Sequence, residues 1–279
     1  VEAVEITEKI IEDSQLHMIF VLCDPILKND AQLCIALRIL CGFNIEEISK
    51  ALLSNKETIN KKLYRAKQTI KERNHLETIL KPEEYVNRLD NVLRVIYLLF
   101  NEGYYSSAKE ENIRYDICWE ALRLSIFLSK QVILPRQKVF ALIALICFHA
   151  SRLEARTSGE NGDLLYHEQD HNKWNHDLIE KGKKYLKLAS SGNIVSKYHI
   201  EATIAYWHTN DGDGKWDRIL QLDNKLLTID YSPVIAMNRT YALAKANSTD
   251  EAIKEAYKLN LRNSHHYMCL LAELYRMNN

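Results

Sequence analysis

Between Lys56 and Arg73 the chain sets seven basic residues against two acidic ones, a local excess of five positive charges. The protein as a whole is neutral, with 37 Lys and Arg against 37 Asp and Glu. Glu57, Lys61, Tyr64, Arg65 and Gln68, with Thr58 beside them, share one side of this stretch. Such side chains hydrogen-bond base edges and neutralise phosphates, so the chemistry on offer is recognition of duplex DNA. Lys56, Lys62, Lys67 and Lys71 flank that side and suit phosphates, which position a protein without reading sequence. A second polar cluster is HEQDH at 167–171, where His167, Glu168, Asp170 and His171 are all metal-ligand types. Its spacing matches neither HExxH nor a helical HxxxH with a third ligand placed, and no cysteine pair supports it. Gln169, Asp170 and Trp174 tying a long loop to neighbouring helices is the plainer expectation. His149, Arg152 and Arg156, at offsets of three and four, form a polar stripe placed to meet Glu168 and Asp170 in a buried ion-pair network. The chain shows no Ser-His-Asp set, phosphate loop or dinucleotide fingerprint. No catalytic residue, metal or cofactor is expected, and an enzyme built on the 149–171 cluster is the weakest of the functional readings.

The basic side must be held outward by a helix with an apolar back. Ile59, Leu63, Ala66 and Ile70 recur at offsets of four, three and four and form one narrow stripe. Ahead of it, Asn44 followed three positions later by Glu47 resembles a capping box. It opens a short helix with Ile45, Ile48 and Leu52 on its apolar side, and Ser54-Asn55 separates the two helices. This is a helix-turn-helix pattern, whose second helix enters the major groove while the first crosses the backbone. Helices over 14–23 and 30–41, separated by Pro25 and stopped by Gly42, are expected to pack on it. The polar stretch NHLETILKPEE, 74–84, marks a boundary, and its Pro82 argues against one continuous helix. Beyond it, helices are expected near 84–100, 112–131, 135–156, 173–190, 196–209, 215–229, 232–246, 249–260 and 264–277. NEGYYSS, 101–107, is read as a turn at a helix end, and 157–172 as the widest loop. Segment 233–258 has the small-residue spacing of a tetratricopeptide pair, with Ala242, Ala246 and Ala252 and with Tyr241 and Tyr257 between.

The fold class expected is therefore all-α. Residues 1–75 form a helix-turn-helix domain, 76–84 a linker and 85–279 a tetratricopeptide-like helical domain. Hydrophobic residues make up 47% of the chain, enough for a sizeable core, and the few Gly (8) and Pro (4) suit helices with short connections. No apolar run approaches the ~20 residues of a membrane span. The six cysteines, Cys23, Cys34, Cys41, Cys118, Cys147 and Cys269, read as reduced, buried thiols of a cytoplasmic protein.

Residues EEISKAL, 46–52, and ETINKKLYRAK, 57–67, resemble region four of an extracytoplasmic-function (ECF) sigma factor of bacterial RNA polymerase. FVLCDPILKNDAQLCIALRILCGF, 20–43, resembles the preceding helices of that domain. RLDNVLRVIYLLFNEGYYSS (88–107), HASRLEAR (149–156) and EQDHNKWNHDLIEKG (168–182) are similar to the subfamily carrying a tetratricopeptide-like C-terminal extension. The resemblance implies binding to the promoter −35 element and to core RNA polymerase through the β flap. It places the DNA contacts at Lys56, Glu57, Thr58, Asn60, Lys61, Lys62, Arg65 and Lys67. Lys62 stands where the family carries Arg, which removes a bidentate fork, and Asp24 stands where it more often carries His. Region two is absent, so the chain is expected to be part of a longer protein cut ahead of region four. The helical body is expected to regulate, by masking the basic helix or by supporting polymerase contacts. A ligand-sensing helix-turn-helix regulator with a helical sensor domain is the alternative.

Overall fold

A computed structural model describes residues 13–72, 80–105, 115–157, 168–210, 212–261 and 264–278; these form α-helices and one short 3-10 turn, with no strand among them. None of the described helices is long and apolar enough to cross a membrane.

The N-terminal part contains α1 (Ser14–Leu22), α2 (Asn29–Ile39), α3 (Ile45–Ala51) and α4 (Lys56–Glu72). Asp13 caps α1 by accepting from the Leu16 N–H at 2.9 Å. Gly42, at φ +71°, takes the left-handed turn after α2 that a side chain would resist. Cys41 falls in that turn rather than on α2, so it is half-buried and does not share a helix face with buried Cys34.

α5 (Pro82–Tyr105) begins with a proline whose missing N–H no helix needs at that position. Glu84 accepts from the Lys81 N–H at 2.8 Å. The helix runs five residues past its expected end. Val92, Ile96, Phe100 and Tyr104 are all buried, and this continuing stripe outweighs the ~1 kcal/mol helix penalty of Gly103. Residues 106–107 of the expected turn lie outside the described residues.

α6 (Tyr115–Ser129) packs on α5, and α7 (Arg136–Ala150) lies at the centre of the body. Ala141 to Phe148 are buried in succession, as befits a helix covered on all sides. The helix expected over 135–156 is instead broken in two. The Ser151 hydroxyl donates to the Phe148 carbonyl at 2.8 Å, and the Ser151 carbonyl accepts from the Asn175 N–H at 2.8 Å. These bonds divert the backbone before α8 (Leu153–Thr157). α9 (His176–Ala189) crosses α7 at Gly182, where an added Cβ would meet Phe148 Cε1 at 2.7 Å. α10 (Lys197–His208) completes this layer.

One hydrophobic core runs from Leu16 in α1 to Ala205 in α10, so the apolar interior crosses the polar stretch at 74–84. A second, smaller core is built by α11 (Lys215–Ile229), α12 (Pro233–Ala246), α13 (Thr249–Lys258) and α14 (His265–Asn278). Ala242, Ala252 and Ala256 are buried there, which lets the helices approach closely. Cys269 on α14 is exposed, contrary to the expectation that all six thiols are interior. Burial pushes the Cys23, Cys118 and Cys147 thiols up to about 12, which makes them poor nucleophiles.

Candidate nucleic-acid interface

α3 opens with a complete capping box. The Asn44 side chain accepts from the Glu47 N–H at 3.0 Å, and Glu47 accepts from the Asn44 N–H at 2.6 Å. Its end is a Schellman motif, with Leu53 N–H on the Lys50 carbonyl at 3.1 Å and Ser54 N–H on the Ser49 carbonyl at 2.9 Å. The left-handed position belongs to Leu53, at φ +47°, where glycine is usual, and its side chain is 77% exposed. Asn55 then caps α4, accepting from the Thr58 N–H at 2.7 Å. Ile59, Leu63 and Ala66 are buried and Ile70 packs against the core, so the stripe read from the sequence is the back of α4.

That burial fixes what faces outward. Glu57, Asn60, Lys61, Tyr64, Arg65, Lys67 and Gln68 are exposed, and Thr58 is half-buried. The expected contacts differ in how they are engaged. Lys56 pairs with Glu46 of α3 at 2.8 Å, and Lys61 pairs with Glu57 one turn back at 2.7 Å. Hydrogen bonds from Lys56 and Lys50 hold the Glu46 carboxyl below the usual range. Lys62 leans back to Asp30 at the start of α2, at 2.8 Å, with its side chain only 29% exposed. Arg65 and Lys67 make no ion pair among the described residues. Exposed pairs of this kind contribute little to stability and are screened by salt. Phosphates can therefore displace them, and the whole face keeps its basic character. Tyr64 and Leu53 are exposed apolar neighbours of these contacts that the expected set omitted. Asp30 escaped notice because its partner is 32 residues away in sequence.

The body holds this unit from behind. Arg88 of α5 donates to the carbonyls of Phe20 and Val21 at 3.0 and 3.3 Å, and to Glu84 and Asp24 at 2.7 and 3.4 Å. Asp24 also accepts from the Ile26 N–H at 2.8 Å, so it both shapes the turn after α1 and neutralises Arg88. Tyr85 reaches His17 at 3.0 Å, and Asn91 donates to Gln32 at 2.7 Å. α5 touches α1, α2 and α3. The outer face of α4 stays open among the described residues, so the body does not mask it there.

The second polar cluster is arranged differently from the expectation. Glu168 and Asp170 are exposed, and Asp170 caps the 3-10 turn His171–Lys173 through the Asn172 N–H at 2.9 Å. These two carboxylates therefore lie at the surface and not in the buried setting expected for them. Arg156 donates to the Tyr104 carbonyl at 2.8 Å and lies 4.4 Å over the Tyr104 ring. Burial, then the charge of Arg152, pushes His149 down to about 3, so it is neutral at pH 7. His167 lies outside the described residues. No group of three or more potential metal ligands is gathered among those described.

An all-α protein with a basic helix presented by a tight turn is the class these features define. The sequence pattern of a family of unknown function, DUF6596, matches residues 88–190, from Arg88 on α5 to just past α9. The chain is similar to an uncharacterized protein of Rhizobium meliloti (strain 1021), with 28% identity over 259 residues. That alignment covers 91% of this chain and 61% of the relative, so the chain spans under two thirds of the relative's length. No solved structure matches.

Proposed function

We propose that this chain binds duplex DNA through the outward face of α4, as region four of an ECF-type RNA polymerase sigma factor. In this reading α3 and α4 are its helix-turn-helix, the −35 promoter element is its DNA site, and the β flap of core RNA polymerase is its protein partner in the cytoplasm. Lys56, Glu57, Thr58, Asn60, Lys61, Lys62, Arg65 and Lys67 are the contacts. The helices from α5 onward serve as a regulatory or partner-binding body, with α11 to α14 stacked as tetratricopeptide-like pairs around Ala242, Ala252 and Ala256.

The observation that carries the reading is the outward basic face of α4, backed by a buried apolar stripe and preceded by a capped short helix. A major-groove reader needs its polar residues outward and its orientation fixed from behind, and α4 has both. The test is capture of core RNA polymerase by the tagged chain, followed by footprinting on the captured promoters. Protection near position −35 that requires the polymerase supports the proposal. A two-fold symmetric footprint without polymerase would replace it with a dimeric regulator.

A further inference from the structure

A helix lying in the major groove has a sugar-phosphate strand along each of its two flanks. On α4, helical geometry puts Lys56, Lys67 and Lys71 on one flank and Lys62 and Arg65 on the other. The first flank is complete within α4. On the second, Lys62 bends toward Asp30 at the N-terminal end of α2, and α5 arrives at the same place. Asn91 donates to Asn29 at 3.2 Å and to Gln32 at 2.7 Å, which fixes α5 against the first turn of α2. Next along α5 stands Arg94, exposed and without an ion pair among the described residues. Its charge acts on Asp30 together with that of Lys62, and the Lys62 hydrogen bond is the largest influence holding this carboxyl below the usual range. Lys28, also exposed and without an ion pair among the described residues, precedes the first turn of α2. Two cations, Lys62 and Arg94, thus act on one carboxylate, a local excess of one. Asp90, one turn before Arg94, is occupied by Lys138 at 2.7 Å.

We infer that the DNA surface extends from α4 onto the body, with Arg94 of α5 gripping a backbone phosphate beside Lys62. This inference rests on the DNA reading of α4. A guanidinium fork suits a phosphate's paired oxygens, and its place on α5, which is locked to α2 and α1, keeps it in register with the reading helix. The body is then part of the DNA grip.

The test uses the full chain and a labelled mixed-sequence duplex of about 30 base pairs, titrated between about 50 and 200 mM salt. Each phosphate neutralised contributes about 0.9 to the slope of log affinity against log salt. Arg94→Ala should lower the slope by about that amount, Arg94→Lys should keep it, and Arg94→Glu should weaken binding further. Melting temperature should not change, because the side chain is exposed. A slope for Arg94→Ala equal to wild type, while Lys61→Ala/Arg65→Ala still weakens binding, overturns this inference and leaves the DNA reading standing. A wild-type chain with no salt-dependent binding overturns the DNA reading, and this inference with it.

Discussion

Replacing Arg88 with methionine should destabilise the protein by about 3–4 kcal/mol, a figure built from what the guanidinium holds. The side chain is 3% exposed. The last carbonyls of a helix have no intrahelical donor, and Arg88 supplies one to both Phe20 and Val21 of α1. Methionine keeps the stem's bulk but offers no donor. Two backbone bonds are worth about 1 kcal/mol each, and the charge-assisted bond to Glu84 about 1.5–3 kcal/mol. Asp24 and Glu84 retain some solvent contact, at 18% and 26%, so partial rehydration keeps the total below the simple sum. Urea unfolding, followed by circular dichroism and by aromatic fluorescence, measures the loss. Because α1 to α10 share one core, both signals should shift together. A variant within about 1 kcal/mol of wild type, a common surface outcome, would refute the claim that Arg88 joins α1 to the body.

Three further outcomes follow from local geometry and burial. Leu53→Gly should raise the melting temperature, since the left-handed turn costs leucine about 1–2 kcal/mol and glycine's chain entropy returns only about 0.5–1; a decrease would contradict the Schellman assignment. Gly182→Ala should destabilise by about 1–3 kcal/mol through the clash with Phe148, although alanine is the better helix former; a higher urea midpoint would show that α9 and α7 are not in close contact. The pH dependence has two opposing parts. His149 and His208, pushed down to about 3 mainly by burial, stabilise the fold above the ordinary histidine value of 6.5 and lose that contribution as pH falls through and below it. Glu201 and Asp223, pushed up to about 7 by burial, contribute stability below their ordinary 4.5 and 3.8 that is lost as pH rises to 7. Between about pH 4.5 and 6.5 these slopes oppose each other, so the melting temperature should change little there and drop below that window. Glu201→Gln with Asp223→Asn should make the drop begin near pH 6.5, and an unchanged profile would show that these carboxyls do not titrate as stated.

Features set by neighbours along the chain were legible in the sequence. The Asn44–Glu47 cap, the break at Ser54-Asn55 and the Ile59–Leu63–Ala66 stripe each need only helical periodicity and hydrogen bonding within a turn. Features set by distant partners were not. Gly103 reads as punctuation until Phe100 and Tyr104 are seen to be buried, and the break at Ser151 depends on an N–H from Asn175. Lys62 looks like its neighbours in sequence, yet Asp30 draws it aside. α5 starts at Pro82, within the polar stretch, but which helix covers α1 and α2 depends on Tyr85, Leu89, Val92 and Arg88. Nothing in those residues' own periodicity names their partner. Of the candidate site, the residue types and the outward face were readable; the internal ion pairs and the left-handed Leu53 were not.

The most direct measurement is fluorescence anisotropy of a labelled duplex with the wild-type chain and with Lys61→Ala/Arg65→Ala, across about 50 to 200 mM salt. If α4 reads DNA, the wild type binds with steep salt dependence, and the double variant binds at least about ten-fold more weakly with a slope lower by about 1.8. A wild type that leaves the duplex free at low salt, or a double variant that binds as well as wild type, would contradict it.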